Sequence, residues 1–104
     1  MQVNTYFSTD WIEVGGIGFH TFVKAVVTDQ NEAYLISVSN IDGKKETGFW
    51  KMQGKFYFDN KTELLAEVLD AWPEAERLSL KEAFTMKILT YLELKLVEEK
   101  LSRD

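Results

Sequence analysis

The sequence has no cysteine, one proline and one histidine among its 104 residues. The missing thiols exclude disulfides and cysteine nucleophiles, and they leave a zinc site with only histidine and carboxylate ligands. No apolar run reaches the roughly 20 residues that a membrane-spanning helix needs. The first ten residues also lack the charged and apolar regions of a signal peptide. We therefore expect a cytoplasmic protein without membrane contact.

Basic residues are outnumbered, with 12 Lys and Arg against 17 Asp and Glu, which gives a net charge of −5. The acidic excess is concentrated late in the chain, because residues 1–58 carry a net −1 and residues 59–104 carry −4. A protein that binds a phosphate backbone needs a basic patch. The charge pattern therefore argues against nucleic-acid binding and favours a protein partner with a basic surface.

The first part of the chain has the alternating pattern that is typical of strands. Residues 1–58 predict an antiparallel meander of four to five strands. Its strongest hairpin signal is the pair Asp42 and Gly43, and residues 55–58 form the last predicted strand. The chain length suits one hydrophobic core. We therefore predict a single α+β domain over residues 1–104.

After residue 58 the apolar period changes from 2 to 3.6, which predicts two antiparallel helices on one face of the sheet. The first helix spans about residues 61–72, between an Asn60 cap and Pro73. Residues 73–78 are a predicted connector. The second helix spans about residues 80–102; it begins after a Ser79 cap and contains no Gly or Pro between residues 80 and 101.

This long second helix has apolar residues on two sides when successive residues are placed 100° apart. The stripe predicted to face the core comprises Phe84, Ile88, Leu89, Tyr91, Leu92 and Leu96. The second stripe comprises Met86, Leu94, Val97 and Leu101. A second apolar side is either covered within the monomer or offered to a partner. We select this second stripe as the candidate partner-binding surface, with a homodimer through the C-terminal helix as one possible use.

Three acidic residues share one face of the first helix at i, i+4 and i+7 spacing: Glu63, Glu67 and Asp70. Clustered carboxylates can bind a divalent cation. This face has no second set of ligands nearby in the sequence, so we predict no metal and no cofactor. A solvated helix face accounts for the pattern, and an acidic docking surface for a basic partner is the functional interpretation that we retain.

Two alternatives belong to other classes of function. Aromatic residues on the sheet, near several lysines, could form a stacking platform for single-stranded nucleic acid: Trp11, Phe49, Trp50, Phe56, Tyr57, Phe58 and Trp72. His20 or Tyr57 could instead serve a pocket in a small enzyme or ligand-binding domain. No nucleophile lies in a recognisable motif around His20, so we expect no enzymatic activity.

In size, acidity and order of elements the chain is similar in type to small inhibitors encoded by phages and mobile elements, and to some bacterial immunity proteins. Such proteins act by covering a site on a larger machine. The sequence therefore leads to the hypothesis of a non-enzymatic protein-binding module. It would block a larger bacterial machine, in defence or nucleic-acid processing, by surface contact.

Overall fold

The computed structural model describes residues 2–10, 12–14, 18–41, 44–54, 56, 61–71 and 74–102. Five strands come first along the chain: β1 (Gln2–Ser8), β2 (Ile12–Val14), β3 (Gly18–Thr28), β4 (Glu32–Ile41) and β5 (Lys44–Gln53). They are followed by α1 (Lys61–Ala71), β6 (Glu76–Leu78), α2 (Leu80–Thr85) and α3 (Tyr91–Ser102). This order confirms the predicted α+β class, with an antiparallel sheet ahead of the helices.

The described strands form one sheet in the order β1-β3-β4-β5-β6, in which β2 also pairs with β3. All pairings are antiparallel. Strand β6 lies in the predicted connector and places Leu78 opposite Phe49 of β5. Three residues are too few for a period-2 pattern to show in the sequence. Of the predicted last strand, only Phe56 is described, and it belongs to no strand; the turn at Asp42 and Gly43 lies outside the described residues.

Both faces of the sheet are apolar, because β3 and β4 carry apolar side chains at successive positions. Helices α2 and α3 cover the face that contains Phe22, Val26, Tyr34, Ile36, Val38 and Phe49. Helix α1 covers the opposite face with Leu64 and Val68, which pack on Val23, Ala25, Val27, Ala33, Leu35 and Met52. The helices therefore lie on opposite faces, whereas the sequence analysis placed both on one. The reason is that a strand buried on both sides needs a cover on both sides.

Helix α1 matches its predicted range, whereas the predicted long C-terminal helix is interrupted. Helix α1 spans Lys61–Ala71, close to the predicted 61–72, while Asn60, Trp72 and Pro73 lie outside the described residues. The predicted single helix over residues 80–102 is two helices, since α2 ends at Thr85 and α3 begins at Tyr91. Within the described residues, no helix combines the length and the apolar character needed to cross a bilayer.

Candidate protein-binding surface

The turn that follows α2 is a helix C-cap with lysine in the position that glycine usually occupies. The amide of Lys87 donates to the carbonyl of Phe84 at 3.0 Å, and the amide of Ile88 donates to the carbonyl of Ala83 at 3.1 Å. This pair of bonds is the Schellman motif. Lys87 has a φ of 63°, in the left-handed region that residues with a Cβ adopt at a cost. The helix thus ends without the Gly or Pro that would have predicted its end.

Helix α3 begins at a capping box that is tied to the sheet. The amide of Thr90 donates to Oε1 of Glu93 at 2.9 Å, and the amide of Glu93 donates to Oγ1 of Thr90 at 3.2 Å. The ammonium of Lys24 on β3 donates to the same Oε1 atom at 2.7 Å. Lys24 is only 4% exposed, so this ion pair fixes the first turn of α3 over the middle of the sheet.

The carboxyl group of Glu93 has its pKa shifted by this environment. Burial raises the pKa, but the hydrogen bonds from Lys24 and Thr90, together with the charge of Lys24, outweigh burial and lower it. Glu93 is therefore held in its charged form. The negative charge of Glu93 favours both of its interactions, because it caps the N-terminus of α3 and neutralises the buried ammonium of Lys24.

Because the helix is interrupted between α2 and α3, the side chains of α3 point in other directions than they would in one continuous helix. Val97 is fully buried in the core cluster, and Leu94 and Leu101 pack against that cluster. The sequence left open whether the second apolar stripe is covered in the monomer, and the structure covers these three members of it. They are the core face of α3, and a partner could not reach Val97 without displacing the helix.

In the C-terminal helical part of the chain, the exposed large apolar side chains are Met86 and three residues that were predicted to face the core. Phe84 is 40% exposed, Met86 41%, Tyr91 59% and Leu92 75%; we call these four residues the corner surface. Met86 is the one member of the predicted partner-binding set of the last helix that belongs to it. The pattern Thr90-x-x-Glu93 is a capping-box signature. It was the sequence signal that could have shown the new helix start and hence the exposure of Tyr91 and Leu92.

A groove of about 470 Å³ lies beside the corner surface. It is lined by Phe84, Thr85, Lys87, Leu89, Thr90 and Tyr91. The ammonium of Lys95 lies 5.3 Å from the centroid of the Tyr91 ring and 3.5 Å from Oε2 of Glu98. The charge of Glu98 raises the pKa of Lys95, which stays a cation. An apolar groove beside a charged rim suits an apolar side chain of a partner better than a small charged ligand.

The acidic residues Glu63, Glu67 and Asp70 are exposed on α1. They lie on the other side of the sheet from α2 and α3, because α1 covers the opposite face. The two halves of the predicted partner surface are therefore separated by the sheet. Over the described ranges, no group of three or more His, Asp or Glu side chains could hold a metal ion.

His20 is buried in the structure, with 1% of its surface exposed. It pairs across the sheet with Ile12 of β2 and Ser39 of β4. Neither ring nitrogen has a hydrogen-bond partner within the described part of the chain, and burial lowers the pKa of the imidazole. The groove beside the corner surface does not include His20, nor does the cleft of about 280 Å³ between Lys51 and Glu76. The ring is placed as a core residue.

The aromatic residues of the predicted stacking platform are divided between the two covered faces. Phe49 is buried and stacks on Tyr34, with ring centroids 5.8 Å apart. Trp50 packs with the α1 side of the core, where its ring lies over Gly48, and Phe56 packs on the same side. Trp11, Tyr57, Phe58 and Trp72 lie outside the described residues. Over the described strands, therefore, the sheet offers covered faces in place of an open platform.

Comparison of the chain with models of protein families, with curated proteins and with solved structures found no match. The functional argument therefore depends on the geometry. What the structure defines is an α+β domain with an apolar corner between two capped helices on one face and an acidic helix on the other.

Proposed function

We propose that this protein is a non-enzymatic protein-binding module and that the corner surface is its contact face. The observation that carries the proposal is the exposure of four large apolar side chains within nine residues, from 40% at Phe84 to 75% at Leu92. Two of these side chains, Phe84 and Tyr91, line the same groove, and large exposed apolar patches mark interaction sites on soluble proteins. Aromatic residues and methionine are also enriched in protein interfaces, and all four residues except Leu92 belong to these types.

The surroundings of the corner surface support a contact that needs little rearrangement. Two hydrogen-bonded motifs hold it: the Schellman motif at the end of α2, next to Phe84 and Met86, and the Thr90 capping box, which encloses Tyr91 and Leu92. The Lys24–Glu93 ion pair then joins it to the sheet. A rigid contact face loses less conformational entropy on binding than a mobile one. This favours a module that docks as a preformed shape.

The acidic face of α1 has a supporting role in this proposal. Glu63, Glu67 and Asp70 point away from the sheet on the side opposite the corner, so they act on the approach of a partner and on its orientation rather than on the apolar contact. The net charge of −5 adds to this attraction for a basic partner. We further propose that the protein acts in the cytoplasm, as a small inhibitor of the phage or mobile-element type that covers a site on a larger bacterial machine.

The test is affinity capture from the native host with three forms of the protein, followed by mass spectrometry. Leu92→Glu places a charge in the corner surface, and Ser102→Glu makes a matched change at the far end of the same helix. We expect one protein to be captured by the wild type and by Ser102→Glu and to be lost with Leu92→Glu, while circular dichroism shows that all three are folded. Capture that is unchanged by Leu92→Glu would exclude the corner surface as the contact face.

A further inference from the structure

The five residues that join α2 to α3, residues 86–90, include no helix breaker. The chain from residue 80 to 101 contains no Gly and no Pro, and three of the five joining residues, Met86, Lys87 and Leu89, are good helix formers. Lys87 leaves the helix only by adopting a φ of 63°, which is unfavourable for a lysine. We call residues 86–90 the hinge. Its conformation is imposed by the docking of α3 on the sheet and by the burial of Ile88 and Leu89 in the core cluster.

The contacts that dock α3 do not require that α3 belong to the same chain. They comprise the apolar packing of Leu94, Val97 and Leu101 on the core cluster and the ion pair between Glu93 and Lys24. Each of these contacts would be identical if α3 came from a second copy. Exchange of an identical element between protomers is a low-cost route to dimers, and short strained hinges favour it.

We infer that this chain forms an exchanged dimer, in which residues 80–102 open into one continuous helix and the α3 segment docks on the sheet of a second copy. Opening releases the left-handed conformation of Lys87, and it gives up the Thr90 cap. All contacts between α3 and the sheet are kept, now between chains. The balance of monomer and dimer is therefore set by the hinge and by the new contact near it.

That new contact involves the corner surface. In a continuous helix Phe84, Ile88, Tyr91 and Leu92 fall within an arc of roughly 100°, which is the stripe that the sequence predicts for one long helix. In a two-fold dimer this stripe meets the same stripe of the second copy. Ile88 and Leu89 both leave buried positions on opening, and Ile88 regains apolar neighbours in this stripe, so opening has a cost at Leu89 that the released strain and the new contact must offset. The inference thus rests on the proposed function, because it names a second copy of this chain as a partner of the corner surface.

Exchange can be detected directly by mixing two charge-reversal variants, Lys24→Glu and Glu93→Lys. Each variant alone places like charges together between sheet and α3, whether it is monomeric or dimeric. In the exchanged heterodimer one docking site has Lys24 with Glu93, and the other has the reversed pair, so both sites are compensated. We expect refolding of the mixture to yield a one-to-one heterodimer by native mass spectrometry, at least tenfold in excess of either homodimer.

A second experiment avoids variants with reversed buried charges. Thr90→Ala removes a cap that exists only in the closed hinge, and alanine also favours the continuous helix. Ser79→Ala is the matched control, because Ser79 caps α2 with Glu82 in the same way and does so in both forms. Loss of one cap corresponds to about fivefold per hinge, hence roughly 30-fold in the dimerisation constant of Thr90→Ala. Ser79→Ala should leave that constant unchanged.

Size-exclusion chromatography with light scattering after refolding measures both variants over a range of concentrations. Exchange is supported by a heterodimer from the charge-reversal mixture together with a dimer gain in Thr90→Ala that Ser79→Ala does not show. The inference is overturned if the mixture gives no heterodimer from folded variants, or if Thr90→Ala is no more dimeric than Ser79→Ala. Either result leaves the proposed function standing, since that depends on the loss of capture in Leu92→Glu.

Discussion

Lys24 and Glu93 are 69 residues apart in the sequence, yet the Nζ atom of one lies 2.7 Å from Oε1 of the other. The pair joins the middle of β3 to the first turn of α3. Because the same carboxylate caps α3, this contact determines where the helix begins and therefore which of its residues face outward. The core position of Val97 and the exposure of Leu92 both follow from that starting point.

Breaking this ion pair from one side should be strongly destabilising. Glu93→Ala leaves the ammonium of Lys24 buried without its partner, and removal of one partner of a buried pair costs about 3–5 kcal/mol. The double variant Lys24→Met/Glu93→Ala removes both charges, so we expect it to recover a large part of that loss. Urea denaturation of the wild type, both single variants and the double variant measures the coupling between the two residues.

The matched control for this cycle is the exposed pair of Lys95 and Glu98, which lies 3.5 Å apart on α3. Both side chains are more than half exposed, so water and salt screen their attraction. Replacing both by alanine should change the free energy of unfolding little. A Lys24–Glu93 coupling no larger than that of the control pair would show that the buried pair does not hold α3 in place.

Lys87→Gly should stabilise the protein. Glycine adopts the left-handed conformation without the steric cost that a Cβ imposes, and we expect a gain of about 1 kcal/mol in the free energy of unfolding. Lys87→Ala is the control, since alanine removes the charge but keeps the Cβ, and it should give no such gain. Thermal and urea denaturation of the three proteins at low concentration measure the difference. Equal effects of Gly and Ala would mean that the backbone conformation at residue 87 is not strained.

The sequence predicted the elements whose signals are local and long. The period-2 strands and the first helix follow from side-chain alternation and spacing, and the structure has them near the predicted bounds. Strand β6 could not be predicted, because its three residues pair with β5 through long-range contacts. Strand β3 shows why the helices lie on opposite faces. Its adjacent residues Phe22 and Val23 point to opposite faces of the sheet, and both are buried. Only a sheet with a cover on each face can bury both of them.

The candidate surface was harder to predict for one physical reason. Helix propensity across residues 80–101 favours a single helix, and tertiary docking overrides it. Lys24 in the apolar strand β3 needs a carboxylate, and Glu93 in the first turn of α3 provides it. The five-residue interruption of the helix therefore places Leu94 against the core and leaves Leu92 exposed, which is the reverse of the prediction. Met86 and the acidic residues of α1 stay exposed because they lie outside the shifted segment.

His20 should make stability depend on pH below neutrality. Burial lowers its pKa in the folded state, so the unfolded chain binds a proton first as the pH falls below about 6.5. The stabilising contribution is thus complete above that pH and is lost as the pH decreases towards the folded pKa, by at most about 1.4 kcal/mol per pH unit. His20→Leu should remove this dependence between pH 7.5 and 5.5. Because the chain has a single histidine, an unchanged pH dependence in His20→Leu would contradict the assignment.

Gly48 should not accept even a methyl group. A Cβ built at this position lies 1.9 Å from the Cη2 atom of Trp50, far inside van der Waals contact. Gly48→Ala must therefore displace the indole ring from the α1 side of the core, and overpacking of this kind costs about 1–3 kcal/mol. We expect a lower urea midpoint together with a changed tryptophan emission spectrum.

A second variant separates the clash from the other effects of this substitution. In a Trp50→Val background the ring is absent, so Gly48→Ala should cost much less than it does in the wild type. Both residues lie on β5, where alanine and valine are compatible with the strand, so the backbone does not explain a difference. If Gly48→Ala were equally destabilising in the two backgrounds, the indole ring would not be what requires glycine at residue 48. A much smaller cost of Gly48→Ala in the Trp50→Val background would show that the indole ring lies over Gly48. The ring would then cover a part of this sheet face that α1 does not cover.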